Sequence, residues 1–312
     1  MLDFSNSKIL IVGDVMLDKY YFGKVDRISP EAPVPIVNIQ KEESRLGGAS
    51  NVANNIVSLG GHSLLCGVIG HDLFGKEIER ISRHKNIDTF LLKTSSPTIT
   101  KARIIGGKQQ IVRVDYEDKS ELNADNKKLF RDTISRILPE YDILVISDYG
   151  KGLISEDLCR YLIKLAHKYD KKVIIDPKGK NWEKYSGADI VTPNVKELSD
   201  IVGYTVPNTD RAIEKAAREA VTKNHLTALL VTRSDKGMSL IGPIPPIHIP
   251  THSEEVFDVS GAGDTVVATL GLCLAAGFEI SEAMRTANIA AGIVVKKIGT
   301  ATLTIEELVQ QK

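Results

Sequence analysis

Charge of one sign is what this chain most clearly lacks in excess. Lys and Arg total 40, Asp and Glu total 40, and the formal net charge is zero. Without a global field there is no long-range attraction for nucleic acid or an anionic membrane, so function is expected from a local site. Cysteine is scarce too: Cys66, Cys159 and Cys273 lie far apart in apolar segments, without metal-ligand spacing. They read as small core residues in a reducing compartment. The seven histidines form no cluster with ligand spacing, which argues against a zinc enzyme. No G-x-S-x-G elbow, no G-x-x-x-x-G-K-[ST] loop and no G-x-G-x-x-G after the first strand is present. The apolar run Val266 to Phe278 is too short to span a bilayer. Met1 to Ser5 has neither a basic region nor an apolar core, so no secretory leader and a cytoplasmic location are expected.

What is present is an ordinary globular composition, 42% hydrophobic and 26% charged, in 312 residues, enough for one large α/β domain or two smaller ones. From Ser63 onward apolar strands alternate with helical patterns. Strands are expected at Lys8–Val12, 63–69, 143–147, 172–176, 189–192 and 229–232. Helices are expected at 74–84, 124–138, 155–167, 195–202, 210–224 and 281–297. Such alternation with continuous apolar strands predicts a mostly parallel sheet covered on both faces. Two stretches differ. Residues 15–45 hold a Tyr-Tyr-Phe run, several prolines and the alternating Val34 to Ile39; residues 98–116 carry Gly106-Gly107 between two extended runs, a hairpin signal. Together they predict a small β-sheet lid.

The chemistry is expected around Asp258-Val259-Ser260-Gly261-Ala262-Gly263-Asp264, where a loop turns into an apolar helix. The first amides of a helix have no internal partner and sit at the positive end of its dipole, which suits an anion. Asp264 in that first turn is a candidate base; the bland alternative is a Gly-rich turn with an acidic helix start. Gly47-Gly48 and Asn51 open a second helix, where backbone can approach a small ligand. Four polar clusters follow strands on the same expected edge: Asp148 to Gly152, Asp176-Pro177-Lys178, Asn194-Val195-Lys196-Glu197 and Thr232 to Gly237. Asp14 and Asp18 are candidates for polyol hydroxyls, and Arg103, Lys151 and Lys178 for anionic substrate groups. Glu197 is a candidate to hold a Mg²⁺-bound water, although Asn194 and Glu197 equally suit a capping box. Thr232 and Gly237 flank a turn that suits a nucleotide; Asn288 suits either an adenine contact or packing.

Gly47-Gly48 with Asn51, followed at the right distance by Asp258 to Asp264, resembles the two signature motifs of the ribokinase (PfkB-type) carbohydrate kinases. The resemblance covers essentially the whole chain. It implies one ribokinase-like kinase domain over residues 1–312, a three-layer α/β/α sandwich with a β-sheet lid that often forms a homodimer contact. Gly13 to Asp18, Arg27 to Pro35 and Asp148 to Gly152 are similar to the D-glycero-β-D-manno-heptose 7-phosphate kinases of lipopolysaccharide precursor synthesis. Those are often the first half of a bifunctional protein with an adenylyltransferase. No H-x-G-H signature occurs before Lys312, which suggests a stand-alone kinase or a kinase domain. The resemblance implies ATP and Mg²⁺ as cofactors, with K⁺ in some relatives, and a sugar phosphate as substrate. Residue by residue it makes Asp264 the base and the amides of Gly261, Ala262 and Gly263 an anion hole. It makes Asn194 and Glu197 the motif governing Mg²⁺ and phosphates. Asp18, Gly48 and Asn51 become sugar contacts, and Asp258 and Ser260 a monovalent-cation site. Arg233-Ser234 departs from the pattern, where many relatives carry a small residue and Gly. Another sugar kinase and a non-catalytic sugar-binding regulator are the competing readings.

Overall fold

The computed structural model describes residues 2–107, 109–251 and 256–311. The chain opens with β1 (Lys8–Gly13), β2 (Val15–Ile28), β3 (Pro35–Gly48), α1 (Ala49–Ser58), β4 (His62–Gly70), α2 (Leu73–His84), β5 (Asp88–Thr94), β6 (Thr100–Gly106) and β7 (Gln109–Tyr116). There follow α3 (Ala124–Ile137), β8 (Ile143–Ser147), α4 (Glu156–Lys168), β9 (Lys172–Asp176), β10 (Ile190–Val191), α5 (Val195–Val202) and α6 (Asp210–Asn224). The remainder is β11 (Ala228–Thr232), β12 (Met238–Ile241), β13 (Ile247–Ile249), α7 (Ala262–Ala275), α8 (Ile280–Val294) and α9 (Ile305–Gln311).

Nine strands form one sheet in the order β13-β12-β11-β10-β9-β8-β1-β4-β5. All neighbours from β11 to β5 pair in parallel; β12 and β13 add an antiparallel edge. Successive residues of a strand face opposite sides, so both sides must be apolar here. Ile9 and Ile11 enter the core shared with α1, α7 and α8, while Leu10 and Val12 enter the core shared with α3, α4 and α6. The central strands and α5 and α6 occupy the expected residues. β5, β12, β13 and α9 had not been expected: each is short, and β12 and β13 are separated by the Pro-rich 243–246 turn.

The second sheet has the order β3-β2-β6-β7 and is the lid. β2 and β3 are 14 residues each, far longer than the expected Val34–Ile39 piece. Gly47 and Gly48 therefore close β3 rather than lie in a helix, and α1 starts at Ala49 with Gly48 at its cap.

Parallel register aligns Gly13 with Ser147 and Ser147 with Asp176. The polar residues that follow β1, β8 and β9 thus emerge side by side on one edge, the usual crevice of such sheets. Helix α7 delivers the Gly-rich turn to that edge. Its residues from Asp264 to Cys273 are all buried, because it runs between the sheet and the helices α1 and α8. Burying Val266, Val267, Leu270 and Leu272 contributes about 1.5–3 kcal/mol each. The apolar tail anchors the polar head.

Candidate active site

Asp264 is the third residue of α7 and is buried at 3% exposure. Asn51 Nδ2 donates to its Oδ2 at 2.8 Å, and the Tyr149 hydroxyl donates to its Oδ1 at 2.8 Å. Thr265 Oγ1 donates to Asn55 Oδ1 at 3.0 Å, so α1 and α7 are joined twice at this point. Burial pushes the Asp264 carboxyl up to about 6, against the Asn51 and Tyr149 hydrogen bonds, which favour the charged form. An acid poised there is ionised at neutral pH yet basic enough to accept a proton.

Gly261 caps α7 with φ 80°, in the left-handed region, and a Cβ on it would stand 2.8 Å from Asn51 Nδ2. At Gly263 a Cβ would meet nothing within 4 Å, so the first turn faces open space. Of the amides expected to seat an anion, that of Ala262 is turned back onto the Val259 carbonyl at 3.2 Å. This takes Ala262 out of the expected anion hole; the amides of Gly263 and Asp264, as in the first turn of any helix, have no intrahelical partner.

The lid supplies the opposite wall. Asp18 is buried and bonds Arg103 Nη1 at 2.6 Å. A Cβ at Gly47 would lie 2.6 Å from Asp18 Oδ2, which explains why β3 passes that carboxylate as bare backbone. Tyr20 is held between the guanidinium groups of Arg45 and Arg103, at 5.0 and 5.2 Å from its centroid. Asp14 keeps one carboxylate oxygen, Oδ1, without a hydrogen-bond partner among the described residues. It is buried, and its Oδ2 accepts the amides of Tyr149 at 2.8 Å and Lys151 at 3.0 Å. It fixes the loop that carries Tyr149; burial and Asp148 raise its carboxyl to about 6. Lys151 Nζ is engaged by Glu117.

On the other side, Asn194 and Glu197 form the capping box of α5, with Oδ1 accepting the Glu197 amide at 2.9 Å and Oε2 accepting the Asn194 amide at 3.1 Å. Glu197 Oε1 also bonds Lys178 Nζ at 2.8 Å. Val195 packs against the core and Lys196 turns outward to Asp200, so these two are not brought to the site. Thr232 bridges in parallel to Asn194, and Gly237 closes the turn after β11 with φ 76°. Arg233, at 3% exposure, does not intrude into that turn. Its guanidinium points inward to Asp210 (2.6 Å), Asn208 Oδ1 (2.9 Å) and Ser239 Oγ (2.9 Å). Asn288 is buried on α8 and donates to the Pro250 carbonyl at 2.7 Å, the packing role rather than an open nucleotide contact. Asp258 accepts the amides of Ser260 at 2.9 Å and Gly299 at 2.8 Å, pinning two loops together.

The match to the pfkB family of carbohydrate kinases runs from residue 6 to 307. The chain belongs to that family. This carbohydrate kinase is 46% identical over 308 residues to the bifunctional protein HldE of Haemophilus influenzae strain PittEE, covering 98% of this chain and 63% of the relative. It is 45% identical over 310 residues to that of Vibrio vulnificus strain YJ016, covering 99% and 64%. The kinase thus spans less than two thirds of these relatives. Its fold matches phosphofructokinase-2 of Escherichia coli in complex with potassium (TM-score 0.79, 20% identity, 97% of each chain). It also matches Arabidopsis thaliana ribokinase complexed with ribose and ATP (TM-score 0.76, 20% identity, 98% of each chain). Family membership implies ATP, a divalent metal ion and a small sugar substrate. No helix among the described residues is long and apolar enough to cross a membrane.

Three residues around Asp264 were absent from the sequence-based candidates. Tyr149 and Asp176 lay inside clusters that had been noted, but only the fold shows that their side chains meet Asp264 and its surroundings. Burial together with Asp264 and Glu197 pushes the Asp176 carboxyl well above the usual carboxylate range. The third, Lys101, lies over the Tyr149 ring, with its ammonium 5.5 Å from the centroid. Period-2 alternation with Arg103 on β6 was its one sequence signal.

Proposed function

We propose that the kinase transfers the γ-phosphoryl group of ATP to O1 of D-glycero-β-D-manno-heptose 7-phosphate, giving the 1,7-bisphosphate for ADP-heptose and lipopolysaccharide core synthesis in the cytoplasm. The observation that carries the transfer is Asp264: a buried carboxylate held by two donors in the first turn of α7, next to Gly263, where a Cβ would meet nothing within 4 Å. The heptose assignment is supported by the Gly13 to Asp18, Arg27 to Pro35 and Asp148 to Gly152 motifs and by identity near 46% to the bifunctional relatives.

In this reading Asp264 takes the proton of the sugar hydroxyl as its oxygen bonds to the γ-phosphorus and the bond to the ADP oxygen breaks. A positioned base of this kind contributes about 10²–10⁴-fold in rate. The amides of Gly263 and Asp264 favour the charge that gathers on the transferring group. Asp18, Gly47, Gly48 and Asn51 orient the sugar; Asn194, Glu197, Lys178, Thr232 and Gly237 line the nucleotide.

Mg²⁺ fits the donor set. Asp176 has no hydrogen bond or ion pair to its carboxylate among the described residues, although Asp264 and Glu197 crowd it. Mg²⁺ keeps its waters and takes one or two carboxylates, so it needs no cage of three or more protein ligands, and none exists among the described residues. Asp176 directly and Glu197 through water would hold it; when bound it offsets phosphate charge. We assign K⁺ to the pinned loop of Asp258 and Ser260. We also assign a homodimer contact to the lid, which exposes Val25, Ile28, Ile39, Val112 and Val114.

The test is ADP release with ATP and a panel of heptose 7-phosphate, fructose 6-phosphate, ribose and fructose. Heptose 7-phosphate is expected to give the highest kcat/KM, with a new anomeric phosphate by ³¹P NMR. A higher kcat/KM on any other member replaces the heptose assignment.

A further inference from the structure

The loops that follow β8 and β9 carry two sides of the site: Tyr149 bonds Asp264, and Lys178 bonds Glu197. Between them lies Asp148, a carboxylate of 2% exposure that the transfer itself does not use. Its Oδ1 accepts the Gly150 amide at 2.7 Å, and its Oδ2 is engaged by Lys184 Nζ and by the Tyr185 hydroxyl, the latter at 2.7 Å. The amides on either side of Gly150, those of Tyr149 and Lys151, go to Asp14. Consecutive amides of this loop therefore alternate between two buried carboxylates.

Tyr185 comes from the short helical turn Glu183–Tyr185, between β9 and β10, and is fully buried. Its hydroxyl makes two bonds at once: it donates to Asp148 and accepts the amide of Lys178 at 3.0 Å. Burial, and then Asp148, keep the phenol from ionising, so the donor stays in place. Lys184 of the same turn lies over the Tyr185 ring, 5.1 Å from its centroid, and also donates to the Ile154 carbonyl at 3.3 Å. A single phenol oxygen thus joins the loop of the base to the loop of the nucleotide cation. Apolar residues of the same volume often fill such a space as stably as buried charges do, so fold stability alone does not account for the cluster.

We propose that Tyr185 is a positioning residue for phosphoryl transfer: through Asp148 it holds Tyr149 against Asp264, and through the Lys178 amide it holds Lys178 beside Glu197 at the nucleotide. Lys184 shares only the first of these tasks. This rests on Asp264 as the base and on the nucleotide reading of Lys178, but not on the identity of the sugar.

The experiment compares wild type with Tyr185→Phe, Lys184→Met and Lys184→Arg, each below its melting temperature, with ATP and the sugar of highest kcat/KM. Tyr185→Phe is expected to raise KM for ATP roughly 5–30-fold, the scale of one or two lost hydrogen bonds. It should also move the acid limb of kcat/KM for the sugar upward, because Asp264 loses its hold on the Tyr149 donor. Lys184→Met should move that limb in the same direction and leave KM for ATP unchanged, and Lys184→Arg should restore the wild-type limb. Added to Tyr149→Phe, which removes the donor outright, Tyr185→Phe should shift the limb no further while KM for ATP still rises. An unmoved limb or an unmoved KM for ATP in Tyr185→Phe overturns the proposal; a purely structural role predicts both, with only the melting temperature lowered. A further shift of the limb in the double variant overturns it too, since Tyr185 would then reach Asp264 by another route. Should Tyr185→Phe fail to fold, Lys184→Met decides, and an unmoved limb there overturns the proposal. Wild type without an acid limb retires Asp264 as the base instead, and KM for ATP then decides on Tyr185.

Discussion

Tyr149, in the loop after β8, and Asp264, in the first turn of α7, lie 115 residues apart in sequence and meet through one hydrogen bond of 2.8 Å, phenol to carboxylate. The phenol is kept un-ionised by burial and by the Asp264 charge, so it acts as a donor throughout the neutral range. Together with Asn51 it leaves Asp264 charged, oriented and short of one proton.

The first expectation concerns pH. Asp264 must be unprotonated to act, so kcat/KM should fall on the acid side with a midpoint near 6. Tyr149→Phe removes a bond to the charged form and should move that midpoint upward. A pH–rate profile with an unmoved acid limb in the variant disproves the link.

Asp264→Asn should nearly abolish turnover while making the protein more stable. Burial raises the folded carboxyl to about 6 from the ordinary aspartate value of 3.8, so the native state binds more protons between those values. Stability from this group is present below about pH 4 and is lost as pH rises through 6, a loss on the order of 2–3 kcal/mol. Thermal melts should therefore show Asp264→Asn ahead of wild type at pH 8, with the gap closing by pH 4. Wild-type turnover in the variant removes Asp264 from its role.

The two glycines of the turn should respond differently to Ala. Gly261→Ala forces a Cβ into the left-handed region and against Asn51, and should lose about 1 kcal/mol of stability along with activity. Gly263→Ala has room and better helix propensity, so its melting point should hold or rise. Its methyl projects toward the phosphate, and KM for ATP should increase. Equal behaviour of the two variants in melts and kinetics contradicts this geometry.

Arg233→Met should lower stability by about 1–3 kcal/mol, because Ser239 loses a buried donor; the Asp210 end is exposed and contributes little. KM for ATP should not change. A large rise in that KM at unchanged melting temperature returns Arg233 to the nucleotide turn.

Much of this was readable in the sequence where one force dominates. β8 and β9 are runs buried on both faces, and their continuous apolar character marks their ends to the residue. α5 announces itself through the Asn194 and Glu197 capping pair. The short edge strands β12 and β13 carry no comparable signal, since pairing with β11 rather than their own composition makes them strands. At the site, glycine and acid spacing picked out Asp264, Asn51 and Asp18. The burial of Asp14 under the Tyr149 loop was not readable, because a strand-end aspartate looks the same whether it faces a ligand or two backbone amides. Nor was the pairing of Arg103 and Lys151, whose partners lie 85 and 34 residues away.

The lid joins the main sheet with almost no slack: one residue, Asp14, separates β1 from β2, and β3 passes directly into α1. Asp18 rides on the outgoing strand, and Asn51, which steadies Asp264, sits in the first turn of the returning helix. The sheet therefore works as a lever with both ends in the reaction chamber. A shift of the lid would reach that chamber by two covalent routes at once, through Asp18 on β2 and through Asn51 on α1 to Asp264.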